Sequence, residues 1–351
     1  MHDNLIDDNR VDTHDSVDRS TDFLRFHDCI GKLAPDNVIP IYENHKPDVV
    51  YTIGITVYKR ANFLKQCVES AVSQSSSMSF EVIVVDDDPT KGNDVEKVMN
   101  EYKCHPLVSY YKKRTNEGLM GNMNRCISMA RGSWVLLIHD DDWLFPNYLQ
   151  AIDKYRIAHP RSKIFVPSHT TYYFGKFVET KSKLREWICR VKRCWHITPK
   201  DFVNGTCATP TGALYHKQTF LDSGGFNADY GMAADYCFFA RFVHQHEVIR
   251  INDQLFNYRW AENESLNPTT ILNFKKLNHY IAVYLLSKTL NMPDWIVSSY
   301  EGERLFRDFH GDVAEMHKVM PPDEVEYYVS RRRSIVFRTL NTILKMLTFI
   351  G

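Results

Sequence analysis

Two short apolar runs that each end in three aspartates, "FEVIVVDDD" (Phe80–Asp88) and "WVLLIHDDD" (Trp134–Asp142), constrain this chain more than any other feature. An uninterrupted apolar run of this length is short for a buried helix and reads as a strand covered on both faces. Two further runs, "VVYTIGITVY" and "LVSYYK", have the same character. Between them lie segments of helical period. Leu64, Cys67, Val68, Ala71 and Val72 recur as one helix face, Val95, Val98, Met99 and Tyr102 as a second, and Leu119, Met123, Cys126, Ile127 and Ala130 as a third, with Gly132 as its stop signal. Repeated strand–helix units predict an α/β fold, a Rossmann-like, mostly parallel sheet covered by helices with right-handed crossovers. In such sheets ligands bind beyond the carboxyl ends of the strands, so both acidic triplets are delivered to the binding edge.

Carboxylates crowded at a strand end repel one another unless water, protons or a cation neutralises them. A hard divalent ion, Mg²⁺ or Mn²⁺, suits such oxygen ligands and keeps open positions for phosphates; a solvated acidic loop is the alternative for either triplet taken alone. With 43 basic and 43 acidic residues the chain has no net charge, which argues against nucleic acid as a partner. Eight cysteines without CxxC spacing predict reduced thiols, and Cys189, Cys194 and His196 lack the fourth ligand of a zinc site. No apolar run is long enough to span a bilayer. The last segment, 331–351, combines five basic residues and no acid with an apolar stripe through Val336, Leu340, Ile343, Leu344, Leu347 and Ile350. It reads as an interfacial membrane helix or as a packing surface for its own domain or a twin subunit.

The motifs "TVYKRANFLKQCVESAVSQ", "FEVIVVDDDPT", "NEGLMGNMNRC" and "ARGSWVLLIHDDDWLFP", in this order and spacing, resemble those of the inverting family 2 glycosyltransferases. "TGALYHKQTFLDSGGFNADYGMAADYCFFARF" and "LFNYRWAENESL" resemble the same family's acceptor-side segment and closing Tyr-Arg motif. The resemblance implies a GT-A fold with a polar, partly mobile segment at 1–48, a nucleotide-sugar half at 49–150, an acceptor half at 151–270 and a helical extension at 271–351. It implies transfer of a sugar from a nucleoside diphosphate (UDP, GDP or dTDP) to a saccharide or lipid-linked saccharide, in the cytoplasm or on the inner face of the membrane. Oligomerisation is left open.

Carried over residue by residue, the resemblance places Thr56, Tyr58 and Arg60 in the nucleoside pocket and makes Asp86 or Asp87 acceptors for base or ribose. Asn116, Gly118, Asn124 and Asp140 join the nucleotide-sugar site. Asp141, supported by Asp140 and Asp142, holds the metal, Mn²⁺ or Mg²⁺; Arg259 meets a phosphate oxygen. Asp235 is the base that takes the acceptor hydroxyl's proton, with Asp229 in reserve. The chain departs from the common pattern at Met123, where arginine is usual, at Ala234 and His139, where acids are usual, and at Ala261, where histidine is usual. A non-catalytic partner subunit of the same fold is the alternative; a nucleotidyltransferase would want a Gly-rich basic loop where this chain has "TVYKRAN".

Overall fold

The computed structural model describes residues 24–44, 47–173, 176–178, 193–204 and 208–260, then 277–278, 281–297, 299–300, 322–330 and a few isolated positions. Eleven strands of the described residues share one sheet: β1 (Val38–Tyr42), β2 (Tyr51–Val57), β3 (Phe80–Asp86), β4 (Val108–Lys113), β5 (Trp134–His139), β6 (Trp143–Leu144), β7 (Ile164–Tyr173), β8 (Lys176–Val178), β9 (Cys194–Ile197), β10 (Leu214–His216) and β11 (Val248–Trp260). The order is β1-β4-β3-β2-β5-β10-β7-β11-β6, with β8 beside β7 and β9 beside β11. The central strands β4, β3, β2 and β5 are parallel. β10 enters antiparallel between β5 and β7, and β7 then pairs parallel with β11.

Both faces of the sheet are covered. Helices α1 (Ala61–Val72), α2 (Asp94–Asn100) and α4 (Tyr148–Ala158) bury Leu64, Val68, Val95, Met99, Leu149 and Ile152 on one side. Helices α3 (Gly118–Met129), α5 (Lys217–Asp222) and α6 (Ala234–Phe242) bury Met123, Ile127, Phe220, Phe238 and Phe239 on the other. The chain leaves β2 outward to β3 and β4, then returns through α3 to β5 on the opposite side of β2. Strand order therefore reverses between β2 and β5, and the crevice at their carboxyl ends is where such a fold receives a ligand.

Three expectations are corrected. The folded domain begins before residue 49: β1 closes the sheet edge against β4, and Cys29 N donates to Gly224 O at 3.0 Å, tying the preceding segment to the second half. On α3 it is Met120 that is buried, in the same core as Ile83, Val85 and Tyr111 of the sheet, while Leu119 is exposed. Gly132 does not cap α3, whose C-cap is Ala130. A Cβ on Gly132 would stand 2.7 Å from Thr52 N, so the glycine is needed for the close approach to β2. The extension from 271 contributes Ile281, Ala282, Leu285, Leu286, Val297 and Tyr300 to the same core as α6. The basic segment 331–351 lies outside the described residues apart from an isolated position, as does Cys189; Cys194 Sγ lies 3.4 Å from His159 Nε2. No helix among the described residues is long and apolar enough to cross a membrane.

Candidate active site

The three aspartates after β5 have three different environments. Asp142 is turned inward: Thr211 Oγ1 donates to its Oδ2 at 2.7 Å and Arg259 N to its Oδ1 at 2.8 Å. Burial, with Asp141 beside it, pushes this carboxyl well above its ordinary range. Asp141 receives Arg60 Nη1 at 2.7 Å, the Arg60 side chain being 37% exposed and that of Asp141 only 9%. Asp140 accepts from the backbone N–H of Tyr58; burial and the neighbouring Asp141 push it up to about 8. His139 holds Thr56 Oγ1 at 2.9 Å through Nδ1, and burial lowers its pKa, which favours the neutral ring. Thr56 is thus buried beneath His139. Tyr58, at the end of the same strand, stays exposed with Lys59 Nζ 4.9 Å from its ring centroid.

The β3 acids are more enclosed than expected. Asp86 is fully buried, accepting from Tyr110 OH at 2.9 Å, Asp88 N at 3.0 Å and Asn93 Nδ2 at 3.3 Å. Of the two candidates for a base or ribose contact, Asp86 is the one that fastens the end of β3 to β4 and α2. Asp87 spends Oδ1 on Lys113 Nζ and Glu117 N, both at 2.9 Å. Asn116 donates to Asp87 O at 3.2 Å and accepts from Gly118 N at 2.8 Å, shaping a turn in which Gly118 has φ +70°. A Cβ at Gly118 would meet nothing within 4 Å, so this turn faces open space.

Asn124 lies inside the fold, between α3 and the turn before α6. It is 2% exposed, and its amide is fully spent on the Phe226 backbone, Nδ2 donating to the carbonyl at 2.8 Å and Oδ1 accepting from the N–H at 2.9 Å. It pins the Gly224–Gly225 turn, both glycines at positive φ, to α3. Asn124→Ala would strand two buried backbone groups and is expected to lower stability by about 2–4 kcal/mol, read as a reduced midpoint in urea with an unchanged slope. A variant as stable as the parent would remove this role.

Arg259 is engaged by the acidic turn and by the rings around it. Its Nε donates to Asp141 O at 2.9 Å and its Nη2 to Gln66 Oε1 at 2.7 Å. Its guanidinium lies 4.1 Å from the Phe63 ring centroid, 4.7 Å from Trp143 and 5.2 Å from Tyr172. It clamps the acidic turn into an aromatic frame. Ala261 lies outside the described residues.

Asp235 opens α6 half-buried, its Oδ1 accepting from Tyr236 N at 2.7 Å. Burial pushes its carboxyl up to about 6, and among the described residues no cation pairs with it. Asp229 is exposed on the turn before α6. Thr211 and Asn122 escaped the sequence reading. Thr211 anchors Asp142 and also receives His139 N at 3.3 Å. Asn122 bridges Val57 O at 3.5 Å and Val85 O at 3.1 Å, leaving a buried Oδ1 without a hydrogen bond. The "PTG" before β10 was the available signal for Thr211; nothing in a helical "GNMN" marks Asn122 as a bridge between strand ends.

Among the described residues no three carboxylate, imidazole or thiol groups converge into a protein-only metal cage. Asp141 and Asp140 nevertheless fit a hard divalent ion that completes its shell with phosphate and water: they are adjacent oxygen donors, and Asp141 raises Asp140 in the way a cation would relieve.

The crevice at the β2–β5 reversal carries acids beyond it, and among the described residues no cation pairs with the Asp235 carboxyl that opens α6. Residues 52–221 match the model of glycosyl transferase family 2, so the chain carries a segment similar to that family's domain, and its fold is of GT-A type. It is 22% identical over 64% of its length to the uncharacterized protein MT1568 of Mycobacterium tuberculosis, covering 71% of that protein. It is 22% identical over 66% of its length to the chondroitin synthase of Escherichia coli, of which it spans 32%. The crystal structure of S. aureus TarS 1–349 in complex with UDP-GlcNAc superposes with a TM-score of 0.57 at 16% identity, covering 81% of this chain and 79% of that one.

Proposed function

We propose that this chain is a metal-dependent, inverting glycosyltransferase that moves a sugar from a nucleoside diphosphate, of UDP type, to a saccharide hydroxyl. The observation that carries the reading is the cluster of Asp140, Asp141 and Asp142 at the carboxyl ends of the β2–β5 pair, together with a half-buried Asp235 at the start of α6 that pairs with no cation among the described residues. The UDP-GlcNAc bound to TarS and the polysaccharide product in the chondroitin synthase's name support the donor and acceptor classes.

In this reading Tyr58 offers its exposed ring to the base, and the turn at Asn116 and Gly118 receives the ribose side together with Asp87, whose Oδ2 makes no hydrogen bond among the described residues. Asp141, with Asp140 beside it, holds a divalent ion, which supplies positive charge to the diphosphate. Arg60 sits on Asp141 in this structure and is within reach of the same phosphates. Asp235 accepts the proton of the acceptor hydroxyl; that oxygen bonds to the anomeric carbon as the bond from this carbon to the diphosphate breaks on the opposite face, inverting the centre. A carboxyl raised to about 6 is still charged at neutral pH and is a stronger base than an ordinary aspartate.

The test is a thermal-shift titration with UDP, GDP and dTDP, with and without Mn²⁺. UDP with Mn²⁺ is expected to stabilise the protein most, by about 2.7 kcal/mol at a hundredfold excess over the dissociation constant, which is a rise of several degrees. No shift with any nucleotide would sink the donor assignment.

A further inference from the structure

β7 and β11 are ten and thirteen residues long, against six for β5. Leu214 of β10 is paired with Leu136 on one side and Phe165 on the other, so Phe165 stands level with Leu136. β10 is antiparallel to both neighbours, hence β7 runs in the direction of β5, and Tyr172 and Tyr173 project about 13–17 Å past the level of His139 at ~3.3 Å per residue. The long strands therefore form a ribbon standing over the edge that carries Asp140, Asp141 and Asp142.

This ribbon is aromatic. Tyr172 pairs with Phe177 on β8 and with Arg259 on β11, and Tyr173 with Trp260. The ring centroids of Tyr172 and Phe177 are 5.0 Å apart, those of Trp143 and Tyr172 5.4 Å, and those of Tyr173 and Trp260 6.4 Å. Phe177 is 60% exposed, Tyr173 45% and Trp260 42%. These are three of the nine large apolar side chains exposed among the described residues. Scattered exposed rings need no explanation, but three on one ribbon beside a binding edge do.

We propose that the ribbon is the acceptor platform, on which the ring faces of a saccharide chain stack so that its terminal hydroxyl is presented to the site. The idea rests on the glycosyltransferase reading and extends it to the acceptor. Three observations select a saccharide. The exposed apolar residues of the ribbon are all aromatic, and flat rings suit the apolar faces of pyranoses while leaving their hydroxyls in water. The platform is continuous with the site, since Trp143 directly follows Asp142 in the chain. Arg259 stacks on Trp143 and Tyr172 while donating to Asp141 O and Asp142 Oδ1, which fixes the rings relative to the acids.

The probe is an array of chondroitin, hyaluronan and bacterial cell-wall and capsular oligosaccharides, incubated with the full chain, UDP and Mn²⁺, with binders titrated in solution. The variants are Phe177→Ala and Trp260→Ala, whose exposed rings give up little packing. The parent is expected to bind at least one saccharide, and each variant about tenfold more weakly, while the UDP thermal shift is unchanged. The proposal is overturned if both variants bind as the parent does or if the parent binds nothing on the array. It is also overturned if the variants instead lose self-association in sedimentation or adhesion to anionic lipid vesicles. A retained UDP shift in any of those outcomes leaves the donor site standing, so failure of the platform is distinguishable from failure of the transferase reading.

Discussion

Asp235→Asn is expected to lower the transfer rate by about 10²–10⁴-fold while UDP still stabilises the protein. The asparagine Oδ1 can accept the Tyr236 N–H that Asp235 now receives at 2.7 Å, so the start of α6 is preserved and only the capacity to take a proton is lost. The pH profile gives an independent check. Burial raises this carboxyl to about 6, and the base must be charged to work, so kcat/KM should rise as pH increases through about 6 and level off above it. The residual rate of the variant should lack that limb. Initial rates of donor turnover across this range, with product release followed for UDP, would decide the matter. A variant within roughly threefold of the parent would pass the role to Asp229 on the preceding turn.

Much of the fold was legible because it is written in apolar period. Tyr51–Val57 and Phe80–Asp86 are buried along their whole length, which is why they read as unbroken runs, and Leu64, Cys67, Val68 and Ala71 lie inward on α1 at helical spacing. What stayed hidden was the use of each polar atom. Asp86, Asp87 and Asp88 look alike in sequence, yet Tyr110, Lys113 and Asn93 come from other elements to engage them one by one. Asn124 sits in a motif that resembles a nucleotide contact, but its partner Phe226 is distant in sequence and can only be found in three dimensions. Arg259 was placed on a phosphate by resemblance alone, and its contacts with the rings of Phe63, Trp143 and Tyr172 could not be read from the sequence because they are assembled from three elements. The three acids after β5 likewise become unequal only through distant partners, Thr211 and the Arg259 N–H for Asp142, Arg60 for Asp141 and the Tyr58 N–H for Asp140.

That inequality yields the sharpest contrast between neighbouring residues. Asp141→Ala should remove the Mn²⁺-dependent part of the UDP thermal shift and lower turnover by about 10²–10³-fold, the equivalent of roughly 3–4 kcal/mol of lost charge stabilisation. Its fold should survive, because the lost Arg60 contact is partly exposed and repulsion with Asp140 is relieved at the same time. Asp142→Ala should do the reverse. Burial already disfavours charge on this carboxyl, so the substitution gives up its acceptor oxygens more than its charge. Thr211 Oγ1 and Arg259 N would be left without their partner in a buried turn, a cost of about 2–4 kcal/mol. Thermal unfolding of the apo protein should therefore fall by several degrees in Asp142→Ala and stay near the parent in Asp141→Ala. If instead Asp141→Ala unfolds early while Asp142→Ala remains stable and loses its Mn²⁺ response, the two residues exchange roles and the ion belongs on Asp142.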